Sequence, residues 1–228
     1  MGTVILIRHA RSVANAENIL AGQTPGVRLD STGVAQSKEL IETLGPLPLK
    51  KVFVSPLERC SETIAPWLAK YGSDITLQSD SRIIEPDYGL WSGRKLEELA
   101  LEPLWKQVQG DPESVQFPNG ERFVDVWDRV TSFYQSLIQI ASQDENFLIV
   151  SHGDIIKFLI AHILKVDFKN FQSLVVEPAS ISVAQIAADG ARLLQFNRTE
   201  QPLAESLVRM VTKTLGGEGN HSSKGVKD

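Results

Sequence analysis

The stretch Thr3-Val4-Ile5-Leu6-Ile7-Arg8-His9-Ala10-Arg11-Ser12 decides the fold. Its first half is a run of β-branched and aliphatic residues, and it stops abruptly at cationic and small side chains. An apolar run of strand length without polar alternation reads as a strand of a parallel sheet, because helices cover both of its faces. Five further segments read as strands, bounded by turn signals: residues 51–55, 75–79, 146–151, 180–187 and 192–196.

Helical patterns lie between them. Thr32 is the expected N-cap of a helix over 33–44, whose Leu40, Ile41 and Leu44 share a face. Pro56 fits the first turn of a helix reaching Tyr71, and Pro66 within it predicts a kink. Residues 121–141 predict a long helix with the stripe Val126, Val130, Phe133, Leu137 and Ile140. Residues 153–164 predict a shorter helix directly after a strand. Ala188-Asp189-Gly190 separates the last two strands as a hairpin at an antiparallel edge. The alternation predicts an α/β sandwich with a mainly parallel sheet. Residues from about 93 to 119 break the pattern and read as a lid or cap inserted into a single domain over 1–215. Residues 203–215 read as a terminal amphipathic helix, compatible with a homodimer as well as a monomer. The glycine- and serine-rich residues 216–228 predict a disordered tail, and no internal repeat is present.

The 228 residues carry a formal charge of -5, with 42% hydrophobic and 22% charged side chains. This is a globular composition, long enough to bury a substantial core. The mild acidity argues against nucleic acid or an anionic membrane as partner. Cys60 is the single cysteine, so no intrachain disulfide framework exists. The apolar run ending at Ile7 is far shorter than a signal core or a membrane span, and Leu6 stands where a myristoylation signal needs Ser or Thr. A cytoplasmic location without membrane contact is the expectation.

Ligand sites of open α/β sheets lie beyond the carboxyl ends of the strands. Those ends carry Arg8-His9, Ser55-Pro56-Leu57-Glu58-Arg59 and Ser151-His152-Gly153-Asp154, with Glu85 following the strand at 75–79. Singly, each is ordinary: an Arg-His at a strand end, a hydrogen-bonded structural histidine, a solvated helix arginine, a surface carboxylate. Together they form a chemical set. Guanidinium forks match phosphoryl oxygens, and a phosphate monoester brings roughly two negative charges. A histidine among arginines stays neutral, because like charge disfavours its protonated form. Such an imidazole can attack phosphorus and give a phosphohistidine. A second histidine can stabilise the phosphoryl oxygens, and a protonated carboxyl can protonate the leaving alkoxide. No metal or other cofactor is required where cations already neutralise the transition state.

Other phosphatase chemistries lack their residues. A cysteine nucleophile would need an arginine six positions beyond Cys60, where Pro66 stands. There is no Asp-x-Asp after a strand, no Gly-x-x-x-x-Gly-Lys loop, no Gly-x-Gly-x-x-Gly fingerprint and no His/Cys metal spacing. His162 reads as packing and His221 as an inert tail residue.

The set resembles the histidine phosphatase superfamily, the phosphoglycerate mutase-like family. Leu6-Ile7-Arg8-His9-Ala10-Arg11-Ser12-Val13-Ala14-Asn15 is similar to its Arg-His-Gly signature with the downstream asparagine. Ser55-Pro56-Leu57-Glu58-Arg59-Cys60-Ser61-Glu62-Thr63 is similar to its second-arginine motif. Ile84-Glu85-Pro86-Asp87-Tyr88-Gly89-Leu90-Trp91-Ser92-Gly93 is similar to its proton-donor segment, and Val150-Ser151-His152-Gly153-Asp154 to its second-histidine motif. The resemblance covers roughly residues 3–197 and implies a three-layer α/β/α sandwich. It implies His9 as the nucleophile and Glu85 as the general acid. It implies Arg8, Arg59, His152 and Asn15 as phosphoryl ligands, with Gly22 and Gly153 where backbone approaches the ligand. Ala10 stands where the family has glycine. A methyl fits there at negative φ and is strained at positive φ.

The expected activity is metal-independent hydrolysis of a small phosphomonoester, with inorganic phosphate as product. Phosphoglycerate mutase-type transfer shares the phosphohistidine and is the alternative; the short lid lacks an obvious paired-arginine motif for a second phosphate. Arg94, Lys95, Lys106 and Arg122 are the cations available for one, against a reading as solvated helix charges. A catalytically weak phospho-ligand-binding module is the third reading, with only Ala10 in its favour. Tyr88, Trp91, Phe117, Phe123 and Trp127 are candidates for a specificity pocket or for ordinary packing.

Overall fold

A computed structural model describes residues 2–141 and 145–199. The elements run β1 (Gly2–Arg8), α1 (Val13–Ala16), α2 (Ser31–Leu44), β2 (Lys51–Val54), α3 (Glu58–Tyr71) and β3 (Thr76–Ser79). They continue with α4 (Leu96–Leu99), α5 (Pro103–Gly110), α6 (Phe123–Ala141), β4 (Phe147–Ser151), α7 (Gly153–Leu164), β5 (Ile181–Ala187) and β6 (Gly190–Arg198). The expected terminal helix over 203–215 and the tail with His221 lie outside the described residues.

The strands form one sheet in the order β3-β2-β4-β1-β5-β6. β1 pairs parallel with β4, β4 with β2 and β2 with β3, while β5 joins β1 antiparallel and β6 closes the hairpin. The antiparallel part therefore begins beside β1. Adjacent residues of one strand serve opposite cores. Val4, Leu6, Phe53, Phe147 and Ile149 pack with Val126, Val130 and Phe133 of α6 and Phe158 of α7. Ile5, Ile7, Val52, Val54, Leu148 and Val150 pack with Leu40 of α2 and Ile64 and Trp67 of α3. That gives the three-layer α/β/α sandwich, with β4 buried along its whole length.

Three local expectations are corrected. Asp30, not Thr32, caps α2, its carboxylate accepting from Gly33 N at 2.7 Å. A carboxylate at a helix start also complements the helix dipole. α3 begins at Glu58 rather than at Pro56, because Ser55 N still bonds to Val150 O at 3.0 Å and prolongs the extended chain. α6 begins at Phe123, since Glu121 is held outside it by its backbone and side-chain bonds to Asp87. β3 is exposed throughout, as an edge strand. α3 continues through Pro66 as one helix.

Residues 93–119 hold α4, α5 and a 3-10 turn at Pro112–Ser114. Leu96, Leu99, Val108, Val115 and Phe117 anchor this segment in the α6/α7 core. Leu20 N donates to Arg94 O at 2.9 Å and Gly93 N to Leu20 O at 2.8 Å, which ties it to the loop after α1.

Candidate active site

β2, β4 and β1 are successive neighbours, and in register Val54 faces Val150 while Arg8 faces Ser151. Their carboxyl ends therefore share one rim. His9 N donates to Ser151 O at 2.8 Å, so the two histidine-bearing strand ends are stitched together. The His9 and His152 ring centroids lie 5.2 Å apart.

His9 is 3% exposed, and its Nδ1 lies 2.8 Å from the Ala10 carbonyl oxygen. A carbonyl only accepts, so Nδ1 carries the hydrogen and Nε2 keeps the lone pair. Burial holds the His9 pKa well below its ordinary value, and the charges of Arg59, then His152 and Arg8, push the same way. Burial and charge both keep the ring neutral, with the lone pair on Nε2. Ala10 does not adopt a positive φ and its N donates to Thr63 Oγ1 at 2.8 Å, so the methyl sits without backbone strain.

Arg8 and Arg59 are both 1% exposed. Arg8 Nη1 donates to Val176 O at 2.8 Å, and Arg59 Nη2 to Gly22 O at 2.9 Å. Arg59 Nη1 is buried and has no protein partner among the described residues. A guanidinium hydrogen in that state needs an acceptor, and an anion supplies one. Gly22 adopts φ +54°, and a Cβ there would meet Ser92 Oγ at 2.7 Å, so glycine is required where the backbone turns toward Arg59.

Glu85 sits between two 3-10 turns, Ser81–Ile83 and Gly89–Trp91. Its main-chain carbonyl accepts from Gln23 Nε2 at 2.8 Å and Arg129 Nη2 at 3.4 Å. Its Oε2 lies 2.8 Å from His152 Nδ1 and 3.6 Å from Arg59 Nη2. Burial raises the Glu85 pKa, against the pull of Arg59 and Arg8. His152 Nε2 is 2.7 Å from Ser55 Oγ, and burial followed by Arg59, Arg8 and Arg129 holds that ring well below its ordinary pKa.

Arg8, His9, Ser12, Asn15, Leu20, Ala21, Gly22, Arg59, Glu85 and Tyr88 line one narrow cleft. Asn15 Oδ1 accepts from Ser12 N and Oγ, each at 2.9 Å, which fixes the side chain at the cleft wall. His152 is fully buried and stands behind Glu85 and Arg59, outside this lining. Gly153 begins α7 beside it.

Ligating atoms of His9, Glu85 and His152 lie within 4.8 Å of one another, a spacing a metal could use. The charges argue against a cation there. Two guanidiniums flank the three groups, and each His152 nitrogen already has a partner. The donor set fits an anion.

The candidates from the sequence divide clearly. His9, Glu85, Arg8, Arg59, Asn15 and Gly22 share the cleft, with His152 and Gly153 immediately behind it. Of the aromatic candidates only Tyr88 reaches the cleft; Phe117, Phe123 and Trp91 are buried in the core, and Trp127 stacks on Phe168 at 4.9 Å. His162 lies 4.2 Å from the Trp127 ring and packs there. Cys60 is buried, with its thiol pushed up to about 12 by desolvation. Arg94 pairs with Glu102 at 2.8 Å, Lys95 with Glu97 at 4.0 Å, and Arg122 with Asp125, all outside the cleft. The solvated reading of these charges holds.

Sequence reasoning missed Ser55, Ser12, Gln23, Arg129, Lys157 and the hydroxyl role of Tyr88. For Lys157 there was a signal: Asp154 and Lys157 are one turn apart on a helix otherwise apolar, Gly-Asp-Ile-Ile-Lys-Phe-Leu-Ile. A charge pair there must be buried and must serve something.

Among known proteins, the chain is 30% identical over 205 residues to phosphoserine phosphatase 1 of Hydrogenobacter thermophilus, covering 87% of this chain and 93% of that one. It is 26% identical to the 2,3-bisphosphoglycerate-dependent phosphoglycerate mutase of Cytophaga hutchinsonii, over 86% of this chain and 89% of that one. The α-ribazole phosphatase structure from Shigella flexneri superposes with a TM-score of 0.77 at 25% identity, covering 86% of this chain and 96% of that one. The profile of the histidine phosphatase superfamily (branch 1) matches residues 4–199, which takes in every strand end that builds the cleft. The chain belongs to the histidine phosphatase superfamily, branch 1.

Proposed function

We propose that the chain hydrolyses a small phosphomonoester in two steps through His9, without a metal. The observation that carries this is the fixed tautomer: Nδ1–H is held by the Ala10 carbonyl and leaves the Nε2 lone pair among two buried guanidiniums. In the first step Nε2 forms a bond to phosphorus as the ester P–O bond breaks, and Glu85 gives its proton to the departing oxygen. In the second, Glu85 as carboxylate takes a proton from water, whose oxygen attacks phosphorus and breaks the N–P bond. Arg8, Arg59 and Asn15 hold the phosphoryl oxygens throughout, with His152 behind them. Residues 93–119 act as a cap that buttresses the Leu20–Gly22 wall. The cleft suits a phosphoryl group carrying a small alcohol, such as a phosphorylated hydroxy amino acid.

Mutase-type transfer has one observation in its favour, the similarity to a relative of that name. It needs a second phosphate site, and the cations Arg94, Lys95 and Arg122 are paired with acids of the same segment. Turnover of alkyl monoesters is therefore expected to proceed without 2,3-bisphosphoglycerate. A rate that depends on adding that compound would reverse the assignment.

Replacing Glu85 by glutamine should lower kcat/KM for alkyl esters by roughly 10²–10³-fold. Glutamine donates a hydrogen bond but cannot transfer a proton. The wild-type rate should fall as pH rises through the raised Glu85 pKa, because the acid form is the active one. The variant should lose that alkaline limb, and p-nitrophenyl phosphate should suffer least, since its phenolate leaves unaided. Unchanged rate and unchanged limb would exclude Glu85 as the acid.

A further inference from the structure

Behind Glu85 runs a chain of buried polar groups with no place in the two steps above. Tyr88 OH lies 3.2 Å from Glu85 Oε1 and 3.0 Å from Asp154 Oδ2. Asp154 Oδ1 lies 3.3 Å from Lys157 Nζ, which also donates to Gln172 Oε1 at 3.1 Å. Tyr88, Asp154, Lys157 and Gln172 are all buried, three of them on or beside α7 and one in the Glu85 segment. Burying an ion pair in an apolar helix costs free energy that a well-packed apolar pair would not. Burial, with the charge of Arg8, pulls the Lys157 ammonium pKa down, and Asp154 opposes that pull.

Proton counting gives the chain a direction. A phenol has one hydrogen and cannot donate to two acceptors in opposite directions. Asp154 is both the nearer acceptor and the carboxylate of the Lys157 ion pair, so the Tyr88 hydrogen goes to Asp154 Oδ2. Tyr88 Oη then presents only lone pairs to Glu85 Oε1. Two oxygens 3.2 Å apart, each offering lone pairs, repel unless one is protonated. The contact is favourable when Glu85 carries its hydrogen on Oε1 and donates it to Tyr88. Oε2 is then the carbonyl oxygen that accepts from His152 Nδ1–H at 2.8 Å, and His152 Nε2 accepts from Ser55 OH at 2.7 Å. Every hydrogen from Ser55 to Tyr88 points toward Asp154, and Lys157 donates to Asp154 from the other side.

We propose that Asp154, fixed by Lys157, acts through Tyr88 as a positioning residue that keeps Glu85 loaded with its proton. The inference rests on the reading of Glu85 as general acid. Opposing it are the charges that face Glu85: Arg59 from α3, Arg8 from β1 and Arg129 of α6 favour the carboxylate, as does the Tyr88 hydroxyl whenever it donates to Glu85. Without the Tyr88 lone pair aimed at Oε1, these guanidiniums would draw the proton off between turnovers. In the cycle Glu85 passes its proton to the leaving oxygen and regains one from water, while Tyr88, Asp154 and Lys157 end as they began.

The test is the full-length Asp154→Asn variant, assayed across pH with an alkyl ester (phosphoserine) and an aryl ester (p-nitrophenyl phosphate). With Asp154 neutral, the Tyr88 hydrogen turns to Glu85 and stabilises its carboxylate. The alkaline limb for phosphoserine should move down by about one pH unit, and the ratio of alkyl to aryl kcat/KM at the alkaline end should fall about tenfold. A merely structural role would lower both esters together and leave the limb in place; that result overturns the relay. If Glu85→Gln itself spares phosphoserine turnover, the acid reading fails and the relay with it, so the two failures are distinguishable. Should Asp154→Asn not fold, carbon-13 NMR of the wild-type Glu85 carboxyl near neutral pH decides instead. A neutral carboxyl signal supports the proposal and an ionised one overturns it.

Discussion

Replacing His9 by alanine is expected to lower kcat roughly 10⁴-fold or more, with the fold intact. The side chain is small in volume, but in the proposed reaction it forms the covalent bond to phosphorus. Its Nδ1–H···O=C contact with Ala10 at 2.8 Å fixes which nitrogen attacks, and burial keeps that nitrogen unprotonated. Alanine removes the nucleophile while Arg8 and Arg59 remain, so binding of phosphate should persist or tighten as the cationic pocket loses a filler. Rapid quenching of the wild type with labelled ester should leave acid-labile, base-stable label on the protein, and the variant should carry none. Equal turnover by the two proteins would remove His9 from the reaction.

The second large effect is expected at Arg59. Arg59→Met keeps the length of the side chain and removes its charge and donors. One guanidinium holds the Gly22 carbonyl at 2.9 Å, lies 3.3 Å from His152 Nδ1 and 3.6 Å from Glu85 Oε2, and keeps Nη1 for an anion. Loss of a donor aimed at developing charge costs about 10²–10³ in kcat, and here positioning of Gly22 is lost as well. A fall of roughly 10³-fold in kcat/KM is therefore expected, with Arg59→Lys intermediate because a point charge replaces a fork. The pH profile carries a second signature. Burial is the main cause of the depressed His9 pKa and Arg59 the next, so without Arg59 the pKa should rise. In the proposed mechanism neutral His9 is the active form, so activity should be lost below its pKa and the acid limb should move to higher pH. Proton NMR titration of the His9 ring reads the same shift directly. A limb that stays in place would show that burial alone keeps the ring neutral.

The sheet was readable because each strand announces itself by an apolar run with an abrupt polar end, and strand ends of a parallel sheet meet at one rim. That single fact brought Arg8, His9, Arg59, His152 and Glu85 together before any coordinate. Helix starts were less readable. Asp30, Ser31 and Thr32 are all competent caps, and only the bond from Asp30 to Gly33 N selects among them. The exposure of β3 was not readable, because composition cannot tell an edge from a centre, which is a property of the sheet order.

By itself the sequence determined which groups meet: two histidines, two arginines and a carboxyl placed where chain direction alone makes them converge. Tertiary structure decided which nitrogen of His9 is free, whether Ala10 is strained, and which way the hydrogen of Tyr88 points. These depend on backbone carbonyls, dihedral angles and neighbours distant in the chain, such as Asp154 beside Tyr88. Residue identity supplies the donors and acceptors, and only their packed positions assign the protons between them.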